Sequence, residues 1–215
     1  MQPEILKINA ELPEQSLVTY AAEQIKKGFV LGMPTDTFYG LAADPYNLRA
    51  VDRVYEIKNR DRHKPLSLII ESVEQAELLA SDLPDEFFLL ADKFWPGPLT
   101  IIVKASSRLP LKVTANTGNI AVRIPAASIP VAIVRAAGVP ITATSSNLSG
   151  STECTTAQAV HLQLQDRLSM IIDGGPSSRS VPSTIINLAD DHGRWRLMRE
   201  GAIPVQEIEE FLGDQ

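Results

Sequence analysis

Gly28-Phe29-Val30-Leu31-Gly32-Met33-Pro34-Thr35-Asp36-Thr37 packs a helix stop, an apolar strand and a polar loop into one short stretch. Upstream, Pro13 to Lys27 carries Leu17, Ala21, Gln24 and Ile25 at helical spacing, and Gly28 ends that helix. Phe29 to Met33 then reads as a strand, with Pro34 to Thr37 as the loop beyond its carboxyl end. Downstream, Asn47 can cap a helix whose apolar stripe is Leu48, Val51, Val54 and Tyr55. Helix, strand, polar loop and helix in succession predict a layered α/β domain.

The alternation continues on both sides. Ile5 to Ile8 reads as an opening strand and Leu66 to Ile70 as another. Ser72 and Gln75 have capping-box spacing before a helix to Ala80. A helix over Asp85 to Phe94 stops at Trp95-Pro96-Gly97-Pro98, a large anchor and a rigid corner. Leu99 to Lys104 and Ile120 to Ile124 are strands, Ser128 to Ala137 a helix closed by Gly138, and Val139 to Thr144 a strand entering the Ser145 loop. A helix near Thr156 to Arg167, strands at Met170 to Asp173, Thr184 to Leu188 and Trp195 to Arg199, and a helix over Pro204 to Leu212 complete the series. Gly174 to Ser178 reads as the most mobile loop, extending toward Arg179, Ser180 and Pro182. Repeats, low-complexity tracts and a linker are all lacking, so residues 1–215 read as a single domain.

Composition narrows the function classes. Hydrophobic residues make up 44% and charged residues 21%, ordinary for a globular chain. No apolar run approaches the roughly 18 residues of a membrane span, and the amino terminus lacks the order of a secretory signal. Cys154 is the one cysteine, which excludes an internal disulfide and a paired-cysteine zinc site, and fits a reducing cytoplasm. The net charge of −6 argues against a general nucleic-acid coat. Yet Lys58, Arg60, Arg62 and Lys64 crowd together around His63 with only Asp61 opposing. A basic pocket on an acidic body suits a small anionic ligand.

Each candidate site residue has a plainer reading beside the functional one. Lys58 and Arg60 would point apart inside a regular helix but can converge on a phosphate at a helix end. They could equally be a solvated charge run favouring the helix dipole. Ser145 and Asn147 share a face if the extended backbone continues, or they are turn and cap residues. Thr35 sits where α/β sheets place ligands, or in a simple turn. Arg123, inside an apolar strand, either snorkels from an edge or awaits an anion. Arg199 is a phosphate contact or a surface charge. His63, His161 and His192 lack metal-ligand spacing, no metal site is expected, and Cys154 reads as a bystander. With no Walker loop, no GxGxxG and no activated nucleophile, a reaction here runs by positioning and charge neutralisation.

Taken in order, six segments carry a resemblance: Pro34 to Leu41, Lys58-Asn59-Arg60 with Lys64-Pro65-Leu66, Trp95 to Thr100, Ala121 to Pro125, Ser145 to Gly150 and Ser183 to Ile186. Together the chain resembles the YrdC-like family of L-threonylcarbamoyladenylate synthases, in its short single-domain branch. That resemblance implies a three-layer fold with a twisted mixed β-sheet, flanked by helices, around a concave basic cavity. It implies a nucleotidyltransferase making threonylcarbamoyl-AMP and pyrophosphate from L-threonine, bicarbonate and ATP, for modification of tRNA adenosine 37. It also implies Mg2+ with the ATP, downstream threonylcarbamoyl-transfer proteins and tRNA as candidate partners, and no membrane.

Residue by residue, Lys58, Arg60, Ser145 and Asn147 match the family's KxR and SxN positions for ATP, with Lys58 and Arg60 serving catalysis. Arg62, Asn119 and Arg199 match assisting positions for ATP, and Thr35, Ser67, Arg123 and Ser183 match the threonine end. Asp36 for the more frequent Glu, Thr144 for Pro, Pro182 for an acid and Glu200 for Pro are departures. The alternative is a non-catalytic module binding double-stranded RNA or tRNA through the same basic cavity.

Overall fold

The computed structural model describes residues 2–190 and 195–213, so Met1, His192 and the last two residues lie outside the described residues. In chain order the elements are β1 (Glu4–Lys7), α1 (Gln15–Lys26), β2 (Leu31–Met33), β3 (Gly40–Ala42), α2 (Leu48–Lys58), β4 (Ser67–Ile69) and α3 (Val73–Leu79). Then come β5 (Ala80–Asp82), α4 (Asp85–Phe94), β6 (Leu99–Ala105), α5 (Leu111–Thr114), β7 (Asn119–Arg123) and α6 (Ser128–Ala137). The chain continues through β8 (Ile141–Thr142), β9 (Thr144–Ser145), α7 (Ala157–Leu164), β10 (Met170–Asp173), β11 (Thr184–Asn187), β12 (Arg196–Arg199) and α8 (Val205–Gly213).

The expected mixed α/β architecture is present as two sheets. A five-stranded sheet runs β1-β10-β2-β3-β9, and a seven-stranded one runs β12-β11-β6-β7-β4-β8 with β5 pairing off this path against β6. Both sheets mix parallel pairs (β1 with β10, β10 with β2, β11 with β6, β4 with β7) with antiparallel ones. Strand β2 is buried at every residue, as a strand covered on both faces must be. On one face α1 and α6 place Val18, Ala21, Ile25, Ile129 and Ile133 against Leu31, Met33, Met170 and Ile172. On the other, Gly32 leaves room for Val160 of α7 and Leu168. A larger core joins Tyr39, Val51, Val54, Leu68, Phe87, Leu90, Ile101 and Val122. Each such side chain buried contributes about 1.5–3 kcal/mol.

Local signals act as anticipated at most element ends. The Asn47 side chain accepts from the Arg49 and Ala50 amides and starts α2, Ser72 accepts from the Gln75 amide and starts α3, and Gly138 closes α6 at φ 71°. Trp95 donates its indole N–H to the Leu99 carbonyl at 2.7 Å and packs edge-on against Phe87. In the same corner Gly97 bonds the Ile124 carbonyl, and a Cβ there would collide with the Phe94 carbonyl oxygen, so only glycine fits.

One expected strand is corrected. Val139 to Thr144 is not continuous: β8 pairs with β4 in one sheet and β9 with β3 in the other. The break falls at Ala143, whose amide bonds Ser67, while the Thr142 hydroxyl reaches the Leu41 carbonyl. The chain crosses from sheet to sheet here, and this step carries Ser145 to the site. Strands β3 and β5 and helix α5 were not anticipated, because three or four residues show no period. The helix over Thr156 to Arg167 ends at Leu164 and finishes as a 3-10 turn.

Candidate active site

Where the two sheets approach, a cavity of about 410 Å³ opens, lined by Thr35, Thr37, Arg60, Lys64, Ser67, Thr100, Arg123, Ser145, Glu153, Ser183 and Arg199 among others. Its size is that of a small-molecule site. Four cations and a row of hydroxyls face it, opposed by a single acid among the described residues.

One end is built around Arg123, the last residue of β7. Arg123 is 8% exposed. Its Nε donates to the Gly97 carbonyl at 2.8 Å, Nη1 to the Thr37 hydroxyl at 3.1 Å, and Nη2 to the Asp36 carboxylate. That leaves one N–H on each terminal nitrogen for another acceptor. Burial pulls the Arg123 pKa down and Asp36 opposes that pull. Asp36 is 3% exposed, and its second oxygen, Oδ2, is buried without a partner. Thr35 donates to the Phe38 carbonyl at 2.6 Å and stands 3.1 Å from the Thr37 hydroxyl. Across the cavity, the Thr100 and Ser183 hydroxyls meet at 2.8 Å, and Arg199 grips the Ser183 carbonyl through Nε and Nη2. The segment read as mobile is fastened here, by Tyr39 to the Gly175 carbonyl at 2.7 Å and by Ser178 to the Asp36 carbonyl at 3.1 Å.

The other end is made by the exit of α2. Asn59 adopts the left-handed conformation (φ 51°, ψ 46°), which asparagine tolerates, and the helix stops between the two cations. Lys58 turns inward, 2% exposed, and its ammonium donates to the Ser145 carbonyl, to the Asn147 carbonyl at 2.8 Å and to Asn147 Oδ1 at 3.1 Å. Ser145 Oγ in turn donates to Asn147 Oδ1 at 2.6 Å. Asn147 Nδ2 closes the loop onto the Ser151 carbonyl at 2.6 Å. The Lys58 pKa is pushed down to about 8, first by burial and then by the Arg60 charge. Arg60 points to the cavity, braced by the Lys64 carbonyl at 3.3 Å and the Pro65 carbonyl at 2.9 Å.

Two segments far apart in the chain therefore meet. Of the residues anticipated from sequence, Thr35, Arg60, Ser67, Arg123, Ser145, Ser183 and Arg199 line the cavity. Lys58 and Asn147 lie directly behind the Ser145 wall. Arg62 and Asn119 are outside the lining: Arg62 bonds Asp52 at 2.6 Å over the Tyr55 ring, and Asn119 begins β7 opposite Lys104. Thr37, read with Thr35 and Asp36 as a loop at a strand's carboxyl end, and Lys64, read as part of the basic pocket, also line the cavity. Sequence reasoning did not pick out Thr100 or Glu153; Thr100 falls inside a segment that carried the resemblance, whereas nothing local marks Glu153. Among the described residues no group of three or more His, Cys, Asp or Glu could hold a metal ion.

Comparison with known proteins converges on one family. The profile of the Sua5/YciO/YrdC family, described as "Telomere recombination", matches residues 23–201. A threonylcarbamoyl-AMP synthase of Pyrococcus abyssi is 37% identical over 94% of this chain and 58% of its own, and one of Bacillus subtilis is 37% identical over 91% and 56%. The chain thus spans little more than half the length of these two relatives. It spans 91% of a threonylcarbamoyl-AMP synthase of Chromobacterium violaceum, 34% identical over 82% of this chain. The crystal structure of P. abyssi Sua5 complexed with L-threonine superposes with a TM-score of 0.92 at 37% identity, covering 97% of this chain and 61% of that one. E. coli YciO superposes with a TM-score of 0.86 at 26% identity, covering 95% and 98%. The profile match alone spans most of the sequence, and the chain belongs to the Sua5/YciO/YrdC family.

Proposed function

We propose that this chain is an L-threonylcarbamoyladenylate synthase. L-Threonine and bicarbonate give the carbamate and water, and a carbamate oxygen attacks the α-phosphorus of ATP, releasing pyrophosphate and leaving threonylcarbamoyl-AMP. The observation that carries the reading is the joining of the Lys58–Arg60 and Ser145–Asn147 segments at one end of a cavity whose other end is Arg123.

Each end suits one reactant. The free N–H groups of Arg123 match the threonine carboxylate in geometry and charge, and the hydroxyls of Thr35, Ser67 and Ser183 can read its amine and side chain. Arg60, Lys64 and Arg199 bring positive charge to the triphosphate, and Lys58 adds its own from behind Ser145. Cations placed before the reaction stabilise charge growing at the α-phosphate without reorganisation at the moment of attack. Mg2+ bound with ATP would offset phosphate charge, and the lining offers it oxygen donors. The product would serve threonylcarbamoylation of tRNA adenosine 37 in the cytoplasm, with transfer done by other proteins. No helix of the described residues is long and apolar enough to cross a membrane. A concave cavity of small-molecule size, rather than a flat basic face, favours this reading over a module that binds duplex RNA.

The test is pyrophosphate release with each reactant omitted in turn. Release requires L-threonine, bicarbonate and ATP together; release that ignores threonine would overturn the substrate assignment.

A further inference from the structure

Glu153 is the only acidic side chain on the cavity lining among the described residues. It lies in the segment between β9 and α7, half-buried, and makes no hydrogen bond or ion pair. Cations stand close by without pairing with it. Arg60 turns its Nε and Nη2 to main-chain carbonyls, Arg199 does the same toward Ser183, and the Lys58 ammonium is taken by the Ser145–Asn147 loop. Glu153 lines the cavity with Ser145, Arg60 and Arg199, and its charge acts on Lys58 and on Arg199.

On the reading above, this is the path of the triphosphate. A bare carboxylate beside a phosphate is repulsive, by about 1 kcal/mol at 4 Å in water and several times that where the effective dielectric is lower. A cavity that binds a polyanion cannot leave that charge facing it. No neighbour among the described residues pairs directly with the carboxylate, so the ligand must offset its charge. Magnesium is characteristically held by one or two carboxylates together with substrate phosphates and water, not by a dedicated protein cage. The donor set fits that pattern: one hard oxygen ligand, free to bind, with no cluster of three metal-binding side chains among the described residues. Ribose hydroxyls are the other group a carboxylate could take, but they need no surrounding cations, and here Arg60, Lys64 and Arg199 line the same cavity.

We infer that Glu153 is the protein's ligand to the divalent cation carried by the nucleotide, so that the chain selects the magnesium-bound triphosphate over the free one. This rests on the synthase reading and is tested without turnover. ATP is titrated calorimetrically into the wild-type chain and into Glu153→Gln, once with excess Mg2+ and once with EDTA, with melting temperature as the check on folding. The expected result has opposite signs: the variant binds ATP about tenfold more weakly with Mg2+ and several-fold more tightly in EDTA. Two outcomes overturn the assignment while leaving the synthase reading intact. Tighter binding in both conditions makes Glu153 a plain repelling charge, and equal weakening in both puts it on uncharged hydroxyls. A wild-type chain that takes up no ATP in either condition overturns the nucleotide reading and this inference with it.

Discussion

The cations that face the cavity at its two ends are held in opposite ways. At the Arg123 end, Arg123, Asp36, Thr37 and Thr35 are tied to one another by hydrogen bonds, Thr100 and Ser183 bond each other across the cavity, and this geometry is fixed before any ligand arrives. At the Arg60 end, Lys58 is fixed by its buried bonds to Ser145 and Asn147, but the cavity-facing Arg60 is braced only by the Lys64 and Pro65 carbonyls just along the chain, and Lys64 is exposed. The difference teaches a division of labour. A small amino acid with a fixed carboxylate calls for a rigid receptor, whereas a polyphosphate, long and flexible, can be met by cations that adjust.

The most forceful way to break this comparison is to remove what the rigid end leans on. Trp95→Ala should destabilise the protein by about 3–5 kcal/mol, since it empties a buried site against Phe87 and loosens the corner that offers the Gly97 carbonyl to Arg123. Arg123→Ala should cost a similar ~3–5 kcal/mol, because Asp36 would be left buried without its counter-ion. Chemical denaturation reads both, and a loss below 1 kcal/mol in either would show that this end is not preorganised as described.

The contrasting case is Arg60→Ala. It should leave the denaturation midpoint nearly unchanged while reducing pyrophosphate release by roughly 30- to 1000-fold, the loss of about 2–4 kcal/mol of transition-state stabilisation. A large stability loss there would make Arg60 structural and erase the distinction between the ends.

Lys58 sharpens the comparison through pH. Its folded pKa, about 8, lies below the ordinary 10.5. Between those values the unfolded chain holds more protons, so this lysine makes stability rise with pH across that window. Nucleotide affinity should run the other way, falling several-fold above about pH 8 as the charge behind Ser145 is lost. Titrations of ATP at pH 7 and 9 measure it, and Lys58→Met should flatten the difference. The smallest effect is expected at Asp52, which bridges Arg62 and Lys112 at 2.6 Å each on the surface. Asp52→Ala should change stability by only about 0.2–1 kcal/mol, because exposed pairs are screened and costly to order. A denaturation shift of 3 kcal/mol would place that network on a par with the buried pair.

Much of this was legible in the sequence, for identifiable reasons. The Asn47 and Ser72 caps, the Asp85–Phe94 helix and the Gly138 stop follow from local chemistry and survive folding unchanged. The meeting of Lys58 with Ser145 and Asn147 depended on a helix ending between two cations, which Asn59 achieves with its left-handed backbone. What local patterns could not give was anything set by the meeting of two sheets. The division of Val139–Thr144 at Ala143, the pairing of Asp36 with Arg123 and the arrival of Glu153 at the cavity all arise from contacts distant in sequence. The same limit explains Arg62, which sits in the basic cluster by sequence but faces Asp52 in the fold.

The most direct test of the central claim is a crystal structure of this chain with ATP and L-threonine bound together. The account predicts the threonine carboxylate on Arg123, with Asp36 still in place behind it, and the phosphate chain against Arg60 and the Ser145 loop. Nucleotide bound on another face, or a threonine carboxylate that leaves Arg123 untouched, would contradict it.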